Sequence, residues 1–343
     1  FFALNVSNSS VICASQSSNN SCGLAFKAGK EPNTPALHWA ITKSGLDIIN
    51  NGAPITGTEK FFLLSIVGKF IIISQIFNLY VMINLYNIYN IFIKVRFFMQ
   101  DAIIAIDQGT SSTRAVLFDK KFSIIHIEQE SINTLYPANG WVEQDANEIW
   151  EKTLLVTKNI ISYAKSKSIN ILSIGITNQR ETIVTWNKIT GEVLYHAIIW
   201  QDRRTKDKCN ELILNGLNET INNKTGLLLD PYFSATKISW VLDNIDNAKH
   251  LALSDKLCVG TIDTYLLFKL TEGKSFYTDA TNASRTSLYN IHENKWDSEL
   301  LEIFKIPLNI LPEVKDNIFE FGVTSKNITD KSIPIHAMIG DQQ

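Results

Sequence analysis

Asp107-Gln108-Gly109-Thr110-Ser111-Ser112 sets a carboxylate, a glycine and three hydroxyls directly after the uncharged run Ala102-Ile103-Ile104-Ala105-Ile106. The run reads as a fully buried strand, short and β-branched. The alternating stretch Thr113 to Phe118 follows and ends at Asp119, so the two runs read as a hairpin. Its turn offers backbone N–H groups and hydroxyls to a phosphate, and its glycine lets the backbone approach a ligand closely. Asp107 beside it can hold a hydrated Mg²⁺. A tight hairpin with an Asx-type turn and no ligand accounts for the same residues, so both readings stand at this point.

Other polar groups also follow apolar runs. Arg180-Glu181 comes after Ile171 to Thr177. Beyond the last ladder bond both side chains can face one pocket, where the donor and the acceptor suit a polyhydroxylated substrate. A surface ion pair worth under about 1 kcal/mol is the alternative. Trp200 follows His196 to Ile199 and can be an apolar wall for a substrate's carbon face or a core residue. Arg203 and Arg204 can bind phosphate, but the simpler expectation is the start of a solvated helix. In Asp230-Pro231-Tyr232-Phe233-Ser234 the turn enters a helix, with Ser234 or Thr236 as caps; Tyr232 could bond a substrate hydroxyl. The polar block Thr278 to Thr286 can order a loop by local bonds, and no chemistry requires it. Ile335 to Ile339 ends in Gly340-Asp341-Gln342-Gln343. Asp341 is either a turn residue or the second carboxylate of a phosphoryl-transfer pair, one holding a metal and the other taking a proton.

The elements that must carry these groups alternate. A helix is expected from Asp145, whose Glu148 completes a capping-box-like start, with Trp150, Leu154, Ile161 and Ala164 near helical spacing. Strands are expected over Ile171 to Thr177, Thr182 to Trp186 and His196 to Ile199, a turn over Lys188-Ile189-Thr190-Gly191, and helices over Thr205 to Leu214 and Ala235 to Asn244. The alternation argues an α/β fold. The opening antiparallel hairpin argues against a purely parallel sheet. Because the clusters fall at strand ends, where ligands bind in open α/β sheets, Asp107, Arg180-Glu181 and Trp200 are expected to share a cleft.

Composition narrows the field. The chain has 343 residues, net charge −2 and 45% hydrophobic residues, ordinary for a globular protein of two domains. No basic stripe suggests nucleic acid. Cys13, Cys22, Cys209 and Cys258 form no C-x-x-C pair, so a reduced, cytoplasmic setting is expected. A break falls near residue 98. Residues 1–60 are rich in Ser, Asn and Gly, and Phe61 to Ile93 is strongly apolar, with 24 charge-free residues from Phe70 to Ile93, long enough to span a bilayer. Gln75, Asn78, Asn84, Asn87 and Asn90 interrupt that run at a cost in hydrocarbon. Residues 1–98 are therefore expected to be an extension unrelated to 99–343, translated from sequence upstream of a start at Met99. A membrane anchor over 61–93 is the alternative.

Taken together, the clusters resemble the N-terminal domain of the FGGY carbohydrate kinase family from about Met99 to Gln343. The segments run in register: Asp107 to Arg114, Gly140-Trp141-Val142-Glu143-Gln144-Asp145, Gly175 to Thr182, Ile199 to Thr205, Asp230 to Ser234, Thr281 to Thr286, and Gly340 to Gln343. Asn178-Gln179-Arg180-Glu181-Thr182 and Asp230-Pro231-Tyr232-Phe233-Ser234 favour the glycerol-phosphorylating members over those acting on pentuloses or gluconate.

The resemblance implies a ribonuclease-H-like mixed sheet of the actin and hexokinase type. It implies ATP-dependent phosphorylation of glycerol to sn-glycerol 3-phosphate, with ATP and Mg²⁺ as cofactors. By matching position, Thr110, Ser111, Ser112 and Arg114 would meet nucleotide phosphates and Asp107 would position Mg²⁺. Arg180, Glu181, Tyr232, Asp341 and Gln342 would bind glycerol hydroxyls, Trp200 would lie against the carbons, and Asp341 would be the general base. Oligomeric state stays open, a homo-oligomer included. The family's C-terminal domain has no counterpart here, so the chain alone is expected to be nearly inactive. Another sugar or polyol kinase of the family, and a membrane-anchored polyol-binding protein without catalysis, are the competing expectations.

Overall fold

The computed structural model describes residues 4–6, 9–14, 23–28, 38–42, 45–49, 79–88 and 100–343. The chain divides into two units, Phe1–Phe97 and Phe98–Gln343. In the first, Leu4–Val6 (β1), Ser9–Ala14 (β2), Gly23–Ala28 (β3), His38–Thr42 (β4) and Gly45–Ile49 (β5) form an antiparallel sheet in that order. A helix covers 79–88 (α1). The rest of the apolar run 61–93 lies outside the described residues. No helix among the described residues is long and apolar enough to cross a membrane.

The second unit opens with Asp101–Gln108 (β6), Ser112–Asp119 (β7), Ile124–Ser131 (β8), Glu143–Gln144 (β9) and Ala146–Ser166 (α2). Asn170–Asn178 (β10), Ile183–Asn187 (β11), Val193–Ile198 (β12), Lys206–Leu214 (α3), Asn218–Thr225 (α4), Ser234–Asn244 (α5) and Ala248–Leu253 (α6) follow. The remainder is Leu257–Thr261 (β13), Ile262–Leu270 (α7), Tyr277–Asp279 (β14), Ala280–Ala283 (α8), Tyr289–Asn290 (β15), Lys295–Trp296 (β16), Ser298–Phe304 (α9), Glu313–Lys315 (β17), Ile318–Val323 (β18), Lys326–Thr329 (α10) and Pro334–Gly340 (β19).

Two sheets carry the site. The larger runs β18-β19-β10-β6-β7-β8. β6, β10 and β19 are mutually parallel, while β7, β8 and β18 pair antiparallel. A meander of three strands, with β10 laid parallel beside β6, β19 parallel beside β10 and β18 antiparallel at the edge, is the mixed α/β sheet of the ribonuclease-H-like fold. The smaller sheet, β13-β11-β12-β9, is antiparallel throughout. Helix α7 is buried along nearly its whole surface, the polar Asp263 and Thr264 included, with Lys269 half-buried. Its Tyr265 and Phe268 meet Trp186 of β11 edge-on and tilted. A second core lies under α5, α6 and α9, around Ile183, Ile238, Val259 and Leu301.

Several local expectations are corrected. β6 is not buried on both faces: Ala102, Ile104, Ile106 and Gln108 are buried and the alternate residues are half-buried. That alternation puts Asp107 on the more open face, opposite Arg114 of β7. Asp145 does cap α2, accepting from Asn147 N, but Glu148 reaches out to Asn133, which donates its Nδ2 to Glu148 Oε1 (2.8 Å). The buried stripe of α2 runs through Ile149, Thr153, Val156, Thr157, Ile160, Ile161 and Ala164. Trp150 and Leu154 sit at its margin, half-buried. Helix α5 has no side-chain cap. Ser234 donates instead to the Glu181 carbonyl, and the Thr236 hydroxyl pairs with Thr205.

Candidate active site

The register of the three parallel strands decides where the carboxylates go. Thr177 pairs with Asp107 and Asn178 with both Gln108 and Gly340. Asp107, Arg180-Glu181 and Asp341 therefore emerge side by side at the carboxyl edge of β6, β10 and β19, where open α/β sheets bind ligands. Below them Gln108, Gln144 and Gln179 are buried and interlocked. Gln179 Nε2 donates to Gln144 Oε1 (2.8 Å) and Gln108 Oε1 (3.2 Å), and Gln144 Nε2 donates to the Thr110 carbonyl (2.5 Å). These amides tie the opening turn to both sheets. Gly109 has no left-handed φ, and a Cβ there would lie 3.4 Å from Ser112 O, so the turn itself does not demand glycine.

The expected site residues form a nearly continuous circuit. Trp200 Nε1 donates to Thr110 Oγ1 (2.8 Å), and its ring lies 5.6 Å from that of Tyr232. Arg285 sits over Tyr232 and Phe233, 5.9 and 5.0 Å from their centroids, and its Nε donates to Glu181 Oε1 (2.6 Å). Arg180 Nε donates to Asp341 Oδ1 (3.2 Å). Asp107 accepts from Arg114 Nε (3.1 Å) and Nη2 (2.5 Å). Ser111 is exposed and Ser112 half-buried beside it. Gln342 does not join: it is exposed, and Gln343 is the amide that meets Arg180, whose Nη1 donates to Gln343 Oε1 (3.3 Å).

Electrostatics follow from burial. Glu181 is buried, and desolvation raises its carboxyl above the ordinary range while Arg285 opposes the shift. Its backbone is left-handed at φ 61°, a conformation that costs a non-glycine residue energy and gathers at functional sites. Asp341 is more open, its side chain 33% exposed, yet partial desolvation raises it too, against the pull of Arg180 and with the added charge of Asp107. A carboxylate raised in this way is a better proton acceptor. Tyr232 is raised by burial and by Glu181. Two bonds hold the Asp341 segment: Gly340 N donates to Thr281 Oγ1 (2.8 Å) and Asp341 N to the Asn178 carbonyl (3.1 Å). A Cβ on Gly340 would lie 2.5 Å from Arg180 Cδ, so that glycine makes room for the arginine.

Sequence reasoning missed three residues, Arg285, Thr281 and Lys237, and misplaced a fourth, Arg204. Arg285 and Thr281 come from the block to which no chemistry was assigned. They secure Glu181 and the approach to Asp341, and an arginine in a loop otherwise made of small residues was the available signal. Lys237 is fully buried, and the signal was a lysine on the apolar stripe of α5 beside Ile238 and Val241. Arg204 does not begin a solvated helix. Its side chain is fully buried, between Trp141 (3.9 Å) and Trp240 (4.5 Å), and bonded to Glu143 (2.6 Å) and Asp202 (2.8 Å). Desolvation works against its charge, but the bonds to Asp202 and Glu143 outweigh it and hold the guanidinium above its ordinary value.

Among the described residues no group of three or more His, Cys, Asp or Glu side chains could hold a metal. A lone Asp107 fits hydrated Mg²⁺, which keeps several waters and needs only one or two carboxylates plus substrate phosphates. The Arg114 guanidinium already pairs with that carboxylate as a cation.

Comparison with known proteins gives a consistent picture. The pattern of the FGGY family of carbohydrate kinases, N-terminal domain, matches residues 102–343. The glycerol kinase of Sinorhizobium fredii is 51% identical over 241 residues, 70% of this chain and 48% of that protein. The glycerol kinase of Plasmodium falciparum, solved with ADP, superposes with a TM-score of 0.69 at 38% identity, over 71% of this chain and 49% of that one. The gluconate kinase of Lactobacillus acidophilus shares the fold, with a TM-score of 0.60 at 23% identity over 70% and 48% of the two chains. The chain spans about half the length of the curated relatives it matches.

Proposed function

Because this chain belongs to the FGGY family of carbohydrate kinases, we propose that its second unit is the polyol-binding half of an enzyme that phosphorylates glycerol with ATP. The observation that carries the reading is the circuit from Thr110 through Trp200, Tyr232, Arg285 and Glu181, with the Arg180–Asp341 pair beside it. It combines an apolar face with donors and acceptors in alternation, as a three-carbon triol requires. The residues of this circuit all belong to 99–343.

In this reading Arg180, Glu181 and Tyr232 bind glycerol hydroxyls and Trp200 covers the carbons, and Gln342, exposed outside the circuit, would have to turn inward to reach a hydroxyl. Asp341 takes the proton of the terminal hydroxyl as its oxygen bonds to the γ-phosphorus. The bond from that phosphorus to the bridging oxygen breaks, leaving ADP and sn-glycerol 3-phosphate. Thr110, Ser111, Ser112 and Arg114 meet the phosphates. Asp107 would hold Mg²⁺, which would supply neutralisation of the charge spread over them. Arg114 must then exchange its carboxylate for phosphate oxygens.

Identity at 51% to a glycerol kinase favours glycerol over the five- and six-carbon substrates of other members. A substrate panel on the complete kinase tests this. Glycerol is expected to give the highest kcat/KM; a pentulose or gluconate preferred over glycerol overturns the assignment, and no phosphoryl transfer to any polyol overturns the activity.

A further inference from the structure

Lys237 stands on α5 with its side chain fully buried. Its Nζ donates to the Tyr232 carbonyl (2.7 Å) and to the Glu181 carbonyl (3.2 Å). Among the described residues no carboxylate forms an ion pair with it, and burial pushes its amine down to about 7. A lysine so placed is expensive, and a methionine or leucine would fill the same space. What it does there is join two segments that share no secondary-structure element. Glu181 follows β10, and Tyr232 precedes α5.

The carbonyl of Glu181 has a second donor, Ser234 Oγ (3.1 Å). The left-handed residue is thus held from its backbone side by Lys237 and Ser234, and from its carboxylate by Arg285. Either protonation state of the lysine serves, since a neutral amine keeps two N–H donors for two carbonyls. The side chain is enclosed and cannot reach a ligand.

We propose that Lys237 is a positioning residue: by holding the Glu181 and Tyr232 carbonyls together it fixes the spacing of two polyol-binding side chains. This rests on the polyol-kinase reading above. Displacements near 1 Å at such groups cost on the order of a hundredfold in rate or binding, so the loss of one clamp is visible in kinetics.

The test compares wild type, Lys237→Met and Ser234→Ala in the complete kinase, with KM for glycerol, KM for ATP, kcat and melting temperature measured together. Lys237→Met is expected to raise KM for glycerol by roughly tenfold or more while KM for ATP stays within about twofold. Ser234→Ala moves the same way, by less. A merely structural lysine would lower the melting temperature and the active fraction, and so kcat, with both KM values unchanged. KM for glycerol within about twofold of wild type in both variants, or both KM values rising in parallel, overturns the proposal. If Lys237→Met does not fold, Ser234→Ala decides alone: about a threefold rise confined to glycerol supports the clamp, and no rise overturns it. Failure of the wild type to phosphorylate any polyol removes the functional reading and the clamp with it; a normal wild type with unmoved variants removes the clamp alone.

Discussion

The two sides of the strand-end site are built differently. Around Glu181 the side chain is 2% exposed, its carboxylate takes Arg285 and its carbonyl takes two donors. Around Asp107 the carboxylate is 26% exposed, and the Arg114 that pairs with it is 47% exposed. Both sides pair an arginine with a carboxylate. The first is desolvated and over-determined, so it can hold a small neutral polyol without reorganising. The second is a screened surface pair worth little to stability, so its partners can be exchanged for a phosphate and a hydrated cation. Burial rather than residue type separates a preformed half from an open one. Arg204 extends the comparison, because sealing the same kind of pair between two tryptophans makes it scaffold.

Asp341 stands between the two sides, and its replacement carries the largest expected effect. In the complete kinase Asp341→Asn lowers kcat by about 10²- to 10⁴-fold, as loss of a general base does, with KM for glycerol changed far less. A loss below about threefold removes that role. Glu181→Gln sharpens the contrast on the buried side. It keeps the shape but loses the charge-assisted bond to Arg285, so kcat/KM for glycerol falls roughly ten- to a hundredfold and the protein melts lower. Equal glycerol kinetics would mean that the buried half is not where the polyol sits.

Arg114→Ala probes the open side. Stability changes by about 1 kcal/mol or less, while KM for MgATP rises a few-fold and KM for glycerol stays put. A loss of stability as large as that of Glu181→Gln would erase the distinction. The smallest effect is a shift in pH dependence. Asp341 must be deprotonated to accept a proton, and burial holds it above 3.8, so activity falls as pH drops through that raised value. Arg180 favours the ionised form, so Arg180→Met moves the acid limb of kcat/KM to higher pH. The stability contribution runs the opposite way. Between the unfolded and the raised folded value the native state binds more protons, so stability declines as pH rises through that window. An acid limb that moves downward in Arg180→Met contradicts the pairing.

Local pattern carried much of this fold. The hairpin of β6 and β7, the strand ending at Asn178 and the placement of Asp107 at a strand end all follow from runs of a few residues and their breaks. The side chains around Glu181 do not. Arg285 lies far along the chain and reaches the site because α8 is tied to the end of β10 by the Asn178–Asn282 amide pair and to β19 by the Thr281–Gly340 bond. Arg204 is sealed by Trp141 and Trp240, neither adjacent in sequence. Lys237 sits on a helix whose spacing assigns it to the core, and only the two carbonyls facing it explain a charge there. Gln342 matched its motif by position, yet Gln343 is the residue that turns toward Arg180. Short-range periodicity reports which face a residue takes, and pairing across segments is decided by packing.

The most direct test of a preformed polyol half is calorimetric titration of the chain with glycerol. One saturable site is expected in the wild type and in Arg114→Ala, and its loss in Glu181→Ala. No saturable binding in the wild type, or equal binding in Glu181→Ala, would contradict the account.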